Sequence, residues 1–167
     1  MKYYQPDPNS CVPTTFAYLT HKQFGLDFSI LLEKLLTFCK AKFDLEKDGM
    51  SFLQLKQVVE AMDFNVEVCA NKPNQKYYMA GVKCLPIIQY ENSLLINQSL
   101  SSGSLKISDS HFLYPEGHAV AIFEQNQTQV RLFDSFMGVE RLLSLSELLL
   151  SLEDKPEFLT VASYLKR

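Results

Sequence analysis

Apolar residues recur at helical spacing through the first third of this chain and then change to the patterning of strands. Residues 1–10 are irregular, with Pro6 and Pro8 enforcing an extended approach. Asn9 or Ser10 is then placed to cap a helix running to about Gln23 and stopped by Gly25. Pro13 falls in its first turn, where an N–H would have had no intrahelical partner. A second amphipathic helix is predicted over 29–42, with Ile30, Leu31, Leu35 and Phe38 on one broad face. Ser51 and Gln54 have the spacing of a capping box for a third helix, FLQLKQVVEAM. Beyond it, NVEVCA and CLPIIQY read as short buried strands, followed by a Ser-rich polar stretch over 97–111. HAVAIFE and TQVRLFD read as the two arms of a hairpin across Gln125–Gln127. Ser144 and Glu147 form a second capping box opening the short helix LSELLLSL, and FLTVASYL reads as a last strand. Helices first and an antiparallel sheet afterwards predict an α+β fold. No repeat or linker interrupts it, so residues 1–167 read as a single domain with a helical half, 1–63, and a sheet half, 64–167.

With 167 residues, 47% of them apolar, there is material for one proper core. The 16 Lys and Arg are scattered within a net charge of -3, which argues against nucleic acid as a partner. MKYYQPDPNSC contains no apolar h-region, so no cleavable secretory signal is expected, and no apolar run approaches the roughly 18 residues of a membrane span. The expected location is the cytoplasm, or outside the cell by a route that needs no such signal.

The four cysteines, at 11, 39, 69 and 84, form no CxxC pair and none stands near a His at ligand spacing. Neither a zinc site nor a disulfide framework is therefore expected. Asp44, Glu46, Asp48 and Gly49 echo the opening of a calcium loop, but Leu55 stands where the bidentate Glu is required, and no calcium site is predicted. Cys39, Cys69 and Cys84 lie in apolar surroundings and read as small core residues. Cys11 alone follows a polar, Pro-rich loop and opens a helix. The N-terminus of a helix presents unpaired N–H groups and partial positive charge, which favour a thiolate. A first-turn cysteine facing the core is the alternative reading.

A nucleophilic thiol needs a base, and the base needs an orienting group. If the hairpin has a three-residue loop, Ile122 pairs with Val130, Val120 with Leu132 and His118 with Asp134. Directly opposite residues have Cβ atoms roughly 4.5–5.5 Å apart, so the carboxylate would meet the imidazole. A loop longer by one residue would turn Asp134 to the other face. The competing readings are a strand-end histidine bonded to a backbone carbonyl and an aspartate serving the turn DSFMG. His21, on the exposed side of the first helix, and His111 have no evident carboxylate partner. Gln5, six residues before Cys11, is a candidate amide donor to an oxyanion or a solvated loop residue.

QPDPNSCVPTTFAYLTHKQFG resembles the Q-x5-C-G-P-[ST]-x-x-A pattern of the C39-like papain-type cysteine peptidases. CLPIIQY is similar to the strand that precedes the catalytic histidine strand in that family, and GHAVAIFEQNQTQVRLFDSFMG to its H-x-x-V … v-x-l-x-D-P-x-x-G segment. LSLSELL resembles the helix that follows. The resemblance implies a papain-like fold, with Cys11 as nucleophile, His118 as general base and acid, Asp134 as orienter and Gln5 as oxyanion donor. It implies no metal and no organic cofactor.

Three departures stand out. Val12 replaces a Gly and is expected to add bulk beside the cleft; Ser135 replaces a Pro. The segment from about Glu91 to Glu116 is longer than usual, and residues 92–116 are a candidate lid or partner contact. HAVAIF and VRLFDSFMG also resemble the His–Asp region of papain-like bacterial effector proteases delivered into host cells. The expected function is a cysteine peptidase or isopeptidase acting on a protein or peptide through a thioester. A deamidase or transglutaminase would use the same residues, and a non-catalytic peptide-binding module or an adaptor subunit are the readings from other classes.

Overall fold

The helical third of the chain folds much as its apolar spacing requires. The computed structural model describes Tyr3, Pro6 and residues 9–45, 49–87 and 106–165. Helix α1 spans Cys11–Phe24; Ser10 is its N-cap residue but, contrary to expectation, makes no side-chain capping bond, the first backbone bond runs from the Thr14 N–H to the Ser10 carbonyl, and Gly25 closes the helix at φ 72° with its N–H on the His21 carbonyl. Helix α2, Phe28–Lys42, is capped by the Asp27 carboxylate, which accepts from the Ile30 N–H at 2.9 Å. Its buried stripe is Phe28, Leu31, Leu32, Leu35 and Cys39. Ile30 and Phe38, expected on that face, fall outside the stripe and are 59% and 52% exposed. Helix α3, Phe52–Glu60, carries the capping box expected of Ser51 and Gln54, with both reciprocal bonds made.

The remainder forms an antiparallel sheet of β1 (Phe64–Cys69), β2 (Tyr78–Pro86), β3 (Lys106–Ile107), β4 (His111–Gln125), β5 (Gln129–Asp134), β6 (Val139–Ser144) and β7 (Phe158–Tyr164). The strand order is β1-β7-β2-β4-β5-β6, with β3 on the outer part of β4. The fold is α+β. Between β6 and β7 lies helix α4, Leu145–Ser151, opened by the capping box of Ser144 and Glu147. Strand β2 begins at Tyr78 rather than at Cys84, because 78–82 are buried on both faces and so carry no alternation to read. Strand β6 was not foreseen either; it is an edge strand with a mixed burial pattern.

Each face of the sheet has its own core. On one face α1, α2 and α3 pack Phe16, Leu19, Leu35, Leu55 and Val59 against Met79, Ala121, Phe133 and Leu159. On the other, Leu148 and Leu152 cover Tyr78, Ala80, Val120, Ile122 and Leu132. Two small residues of β4, Ala119 and Ala121, let α1 lie close to the strand, and the buried Thr15 hydroxyl donates to the Ala119 carbonyl at 3.3 Å. That bond fixes the first turn of α1, with Cys11, relative to the strand that carries His118.

Thr15→Val, which keeps the shape and removes the donor, should lower stability by about 1 kcal/mol in chemical denaturation, and Thr15→Ser should restore it. An unchanged midpoint in the valine variant would show that this contact does not hold the helix.

Candidate active site

Two irregularities in β4 decide where His118 points. Val82 pairs with His118, but the next pair is Cys84 with Leu113, so Tyr114, Pro115, Glu116 and Gly117 bulge out opposite a single residue. Pro115 brings no N–H to the ladder, and Gly117 sits at φ 81°, where a Cβ would stand 2.8 Å from Glu153 Oε1. His118 is the first residue after this bulge. Its ring packs against Tyr114, at a centroid distance of 4.4 Å, and Phe136, at 4.7 Å, and these two rings stack on each other at 5.5 Å.

The second irregularity concerns the hairpin. The Asn126 side chain accepts from the N–H groups of Thr128 and Gln129, and the Asn126 N–H donates to the Gln129 carbonyl, so the turn lies later than the expected three-residue loop. Gln125 pairs with Val130 and Glu124 with Arg131, a register that would have turned Asp134 away from the His118 face. A bulge at Phe123 shifts the ladder back by one, and the pairs become Ile122–Leu132 and Val120–Asp134. The expected direct pairing of His118 with Asp134 is thus corrected: they are diagonal neighbours on a shared face, which is within reach of these side chains.

The contact is made nonetheless. His118 Nε2 and Asp134 Oδ1 are 2.8 Å apart, with both side chains fully buried. Oδ1 also accepts from the Phe136 N–H at 3.0 Å, and the Gly138 N–H donates to the Asp134 carbonyl at 2.9 Å. The aspartate therefore does both things its sequence context suggested: it begins the turn and holds the histidine. Burial by itself would push the His118 pKa down; the Asp134 hydrogen bond, with Cys11 adding to it, outweighs burial and lifts it from 6.5 to about 9. Burial acts upward on Asp134, but His118, Arg141 and the Phe136 N–H hold its carboxyl below the ordinary 3.8.

Cys11 is the first residue of α1 and is partly exposed. Cys11 contributes to the upward shift of the His118 pKa, and with Nε2 taken by Asp134 the buried Nδ1 is the ring nitrogen that makes no hydrogen bond. No acidic residue occupies the first turn of α1, and Cys11 stands at the positive end of the helix. The remaining cysteines differ. Cys39 is buried against Met50, and burial pushes its thiol up to about 11; Cys69 is partly buried with its thiol also raised, and Cys84 is partly buried, so only Cys39 is a full core residue. His21 bonds the Leu26 carbonyl and His111 the Ser110 hydroxyl, which leaves His118 as the histidine beside a cysteine.

Gln5 lies outside the described residues, as do 92–105 of the expected lid or partner segment; the rest of that segment, 106–116, contains β3 and the start of β4. Val12, expected to crowd the cleft, instead points into the helical core and is 5% exposed. Three groups escaped the reading of the sequence. Tyr114 and Phe136 wall the imidazole, and Arg141 on β6 places Nη1 3.6 Å from Asp134 Oδ2. The run Pro115-Glu116-Gly117 immediately before the histidine was a usable sign of a bulge; the other contacts join positions far apart in sequence. Among the described residues no group of three or more His, Cys, Asp or Glu could hold a metal, and no helix is long and apolar enough to cross a membrane.

The raised His118 and lowered Asp134 values set a pH window for the stability of the pair. The histidine contribution is complete below 6.5 and is lost as pH rises through about 9; the aspartate contribution is complete above 3.8 and is lost as pH falls through its lowered value. The stability difference between the wild type and His118→Asn should therefore shrink between pH 6.5 and pH 9 in chemical denaturation, and a difference that stays level would refute the charged pair. Neither a protein-family profile nor any curated protein matches this chain.

Proposed function

We propose that this protein is a papain-like cysteine hydrolase that cleaves an amide bond in a protein or peptide. One observation carries the reading: a buried His118–Asp134 pair at 2.8 Å whose imidazole also couples to Cys11, the residue that opens α1. The arrangement of helices on one face of an antiparallel sheet, with the cysteine on a helix and the His and Asp on adjacent strands, agrees with the C39-like resemblance of the sequence.

In this mechanism the Cys11 thiolate, stabilised by the His118 imidazolium, attacks the substrate carbonyl carbon. The oxyanion of the tetrahedral adduct is met by backbone N–H groups at the start of α1, where Cys11 and Val12 have no preceding turn to bond. Pro13 offers no such group. Gln5 is the proposed additional donor. His118 then gives its proton to the departing amine, leaving a thioester on Cys11. It next accepts a proton from water, whose oxygen attacks the thioester, and the acid is released with the thiol restored. Asp134 keeps the ring in the orientation that leaves Nδ1 toward the sulfur.

Peptide-resolved alkylation with iodoacetamide tests the couple without knowledge of a substrate. Cys11 should label faster than Cys69 and Cys84 at neutral pH, and His118→Ala should slow it by roughly tenfold or more. Cys69 and Cys84 act as controls in the same sample and should be unaffected. Slow labelling of Cys11 with an ordinary thiol profile in both proteins would sink the hydrolase reading and favour a peptide-binding module.

A further inference from the structure

Arg141 leads the fully buried side chains by size, at 1% exposure, and a guanidinium in a core needs partners of matching charge. It pairs with Leu132 across β5–β6, while Asp134 pairs with Val139, so Arg141 is the diagonal neighbour of Asp134 on the strand opposite to that of His118. The carboxylate is thus gripped from both sides. Oδ1 takes the His118 Nε2 from β4, and Oδ2 faces the Arg141 Nη1 from β6 at 3.6 Å. The same guanidinium donates through Nη2 to the Pro86 carbonyl near the end of β2. The charged and titratable groups around the pair are completed by Cys11 from α1 and by the Tyr114 ring from the bulge of β4, with Glu153 behind Gly117.

We propose that Arg141 is a positioning residue of this site: its guanidinium holds Asp134 Oδ2, keeps the carboxylate ionised, and so keeps Oδ1 on His118 Nε2. This rests on reading Cys11, His118 and Asp134 as a catalytic triad. Arg141 itself touches neither the thiol nor, by this geometry, a substrate; it acts through Asp134. A neutral residue of similar length would leave a buried carboxylate with the imidazolium as its sole charged partner. Asp134 would then take up a proton at higher pH, and the imidazolium–thiolate couple would lose its support at that higher pH. A residue that merely ties β6 to β2 would have no such effect on titration.

The experiment is the pH profile of Cys11 alkylation in the full chain, for Arg141→Gln, Arg141→Lys, Asp134→Asn and the double variant Asp134→Asn/Arg141→Gln. Arg141→Gln should move the acid limb of the profile upward by about one pH unit or more. Arg141→Lys, which retains the charge, should stay within a fraction of a unit of the wild type while losing thermal stability. In the Asp134→Asn background the Gln substitution should move the limb little, because its target is already gone. A rate reduced equally at every pH, with the limb in place, would overturn the proposal and make Arg141 a structural strut. If Arg141→Gln does not fold by circular dichroism, Arg141→Met, also neutral and of similar length, is measured in its place: an upward move of the limb supports the role, and a limb left in place overturns it. An Asp134→Asn profile identical to the wild type would instead overturn the triad, and this inference with it, whereas a shift in Asp134→Asn without one in Arg141→Gln removes the inference alone.

Discussion

A charged hydrogen bond buried at the end of the sheet, between His118 Nε2 and Asp134 Oδ1, is the interaction to which the rest of the site is fitted. Taking an ion out of water costs several kcal/mol even after relaxation, so a carboxylate with no exposed side-chain surface must be held by many donors. Asp134 meets that requirement with the imidazole, the Phe136 N–H and the Arg141 guanidinium, each from a different part of the chain. The rings of Tyr114 and Phe136, stacked on each other at 5.5 Å, both pack against the imidazole, and this burial makes each of those contacts electrostatically stronger than it would be at a surface. The pair sits in the core below the sheet, and Cys11 reaches it from the helical side.

Regular strands would not have produced this arrangement. In an unbroken ladder the turn around Asn126 sets a register that sends Asp134 to the helical face, away from His118. The bulge at Phe123 reverses that parity, and the larger bulge over Tyr114–Gly117 interrupts the strand just before His118. Each costs ladder bonds. Each also occurs in a strand that is otherwise locked on both faces by β2, β5 and α1, which is where local irregularity can be held in one conformation. Alanine at 119 and 121 then lets α1 approach, so the helix that opens with Cys11 lies close against the strand that carries His118.

Much of this was legible along the chain. The three N-terminal helices, both capping boxes, the Gly25 stop, the last strand and the α+β class follow from local signals that act within a few residues: side-chain caps, a left-handed glycine, apolar spacing. Strand β2 starts earlier than its sequence signals because a central strand buried on both faces has no alternation, and β6 is hidden because its alternating burial places Arg141 inside and Leu142 outside. Cys39 in the core and Cys11 at a helix start were readable from their surroundings; Ile30 and Phe38 were misplaced because the rotation of α2 about its axis depends on what it packs against.

The sequence by itself determined the residue types of the site, their order, and much of the local setting of each: Cys11 opening a helix, His118 on a buried strand (which in fact begins at His111), Asp134 entering a turn. Tertiary structure alone decided that they meet. Whether Asp134 shares a face with His118 depends on a parity set by the turn around Asn126 and the bulge at Phe123, and parity is a property of pairing between strands rather than of either strand. Arg141 shows the same division more plainly. Nothing within ten residues of it marks it as anything but a surface-strand arginine, and only the alignment of β5 with β6 buries its guanidinium beside the one carboxylate that needs it.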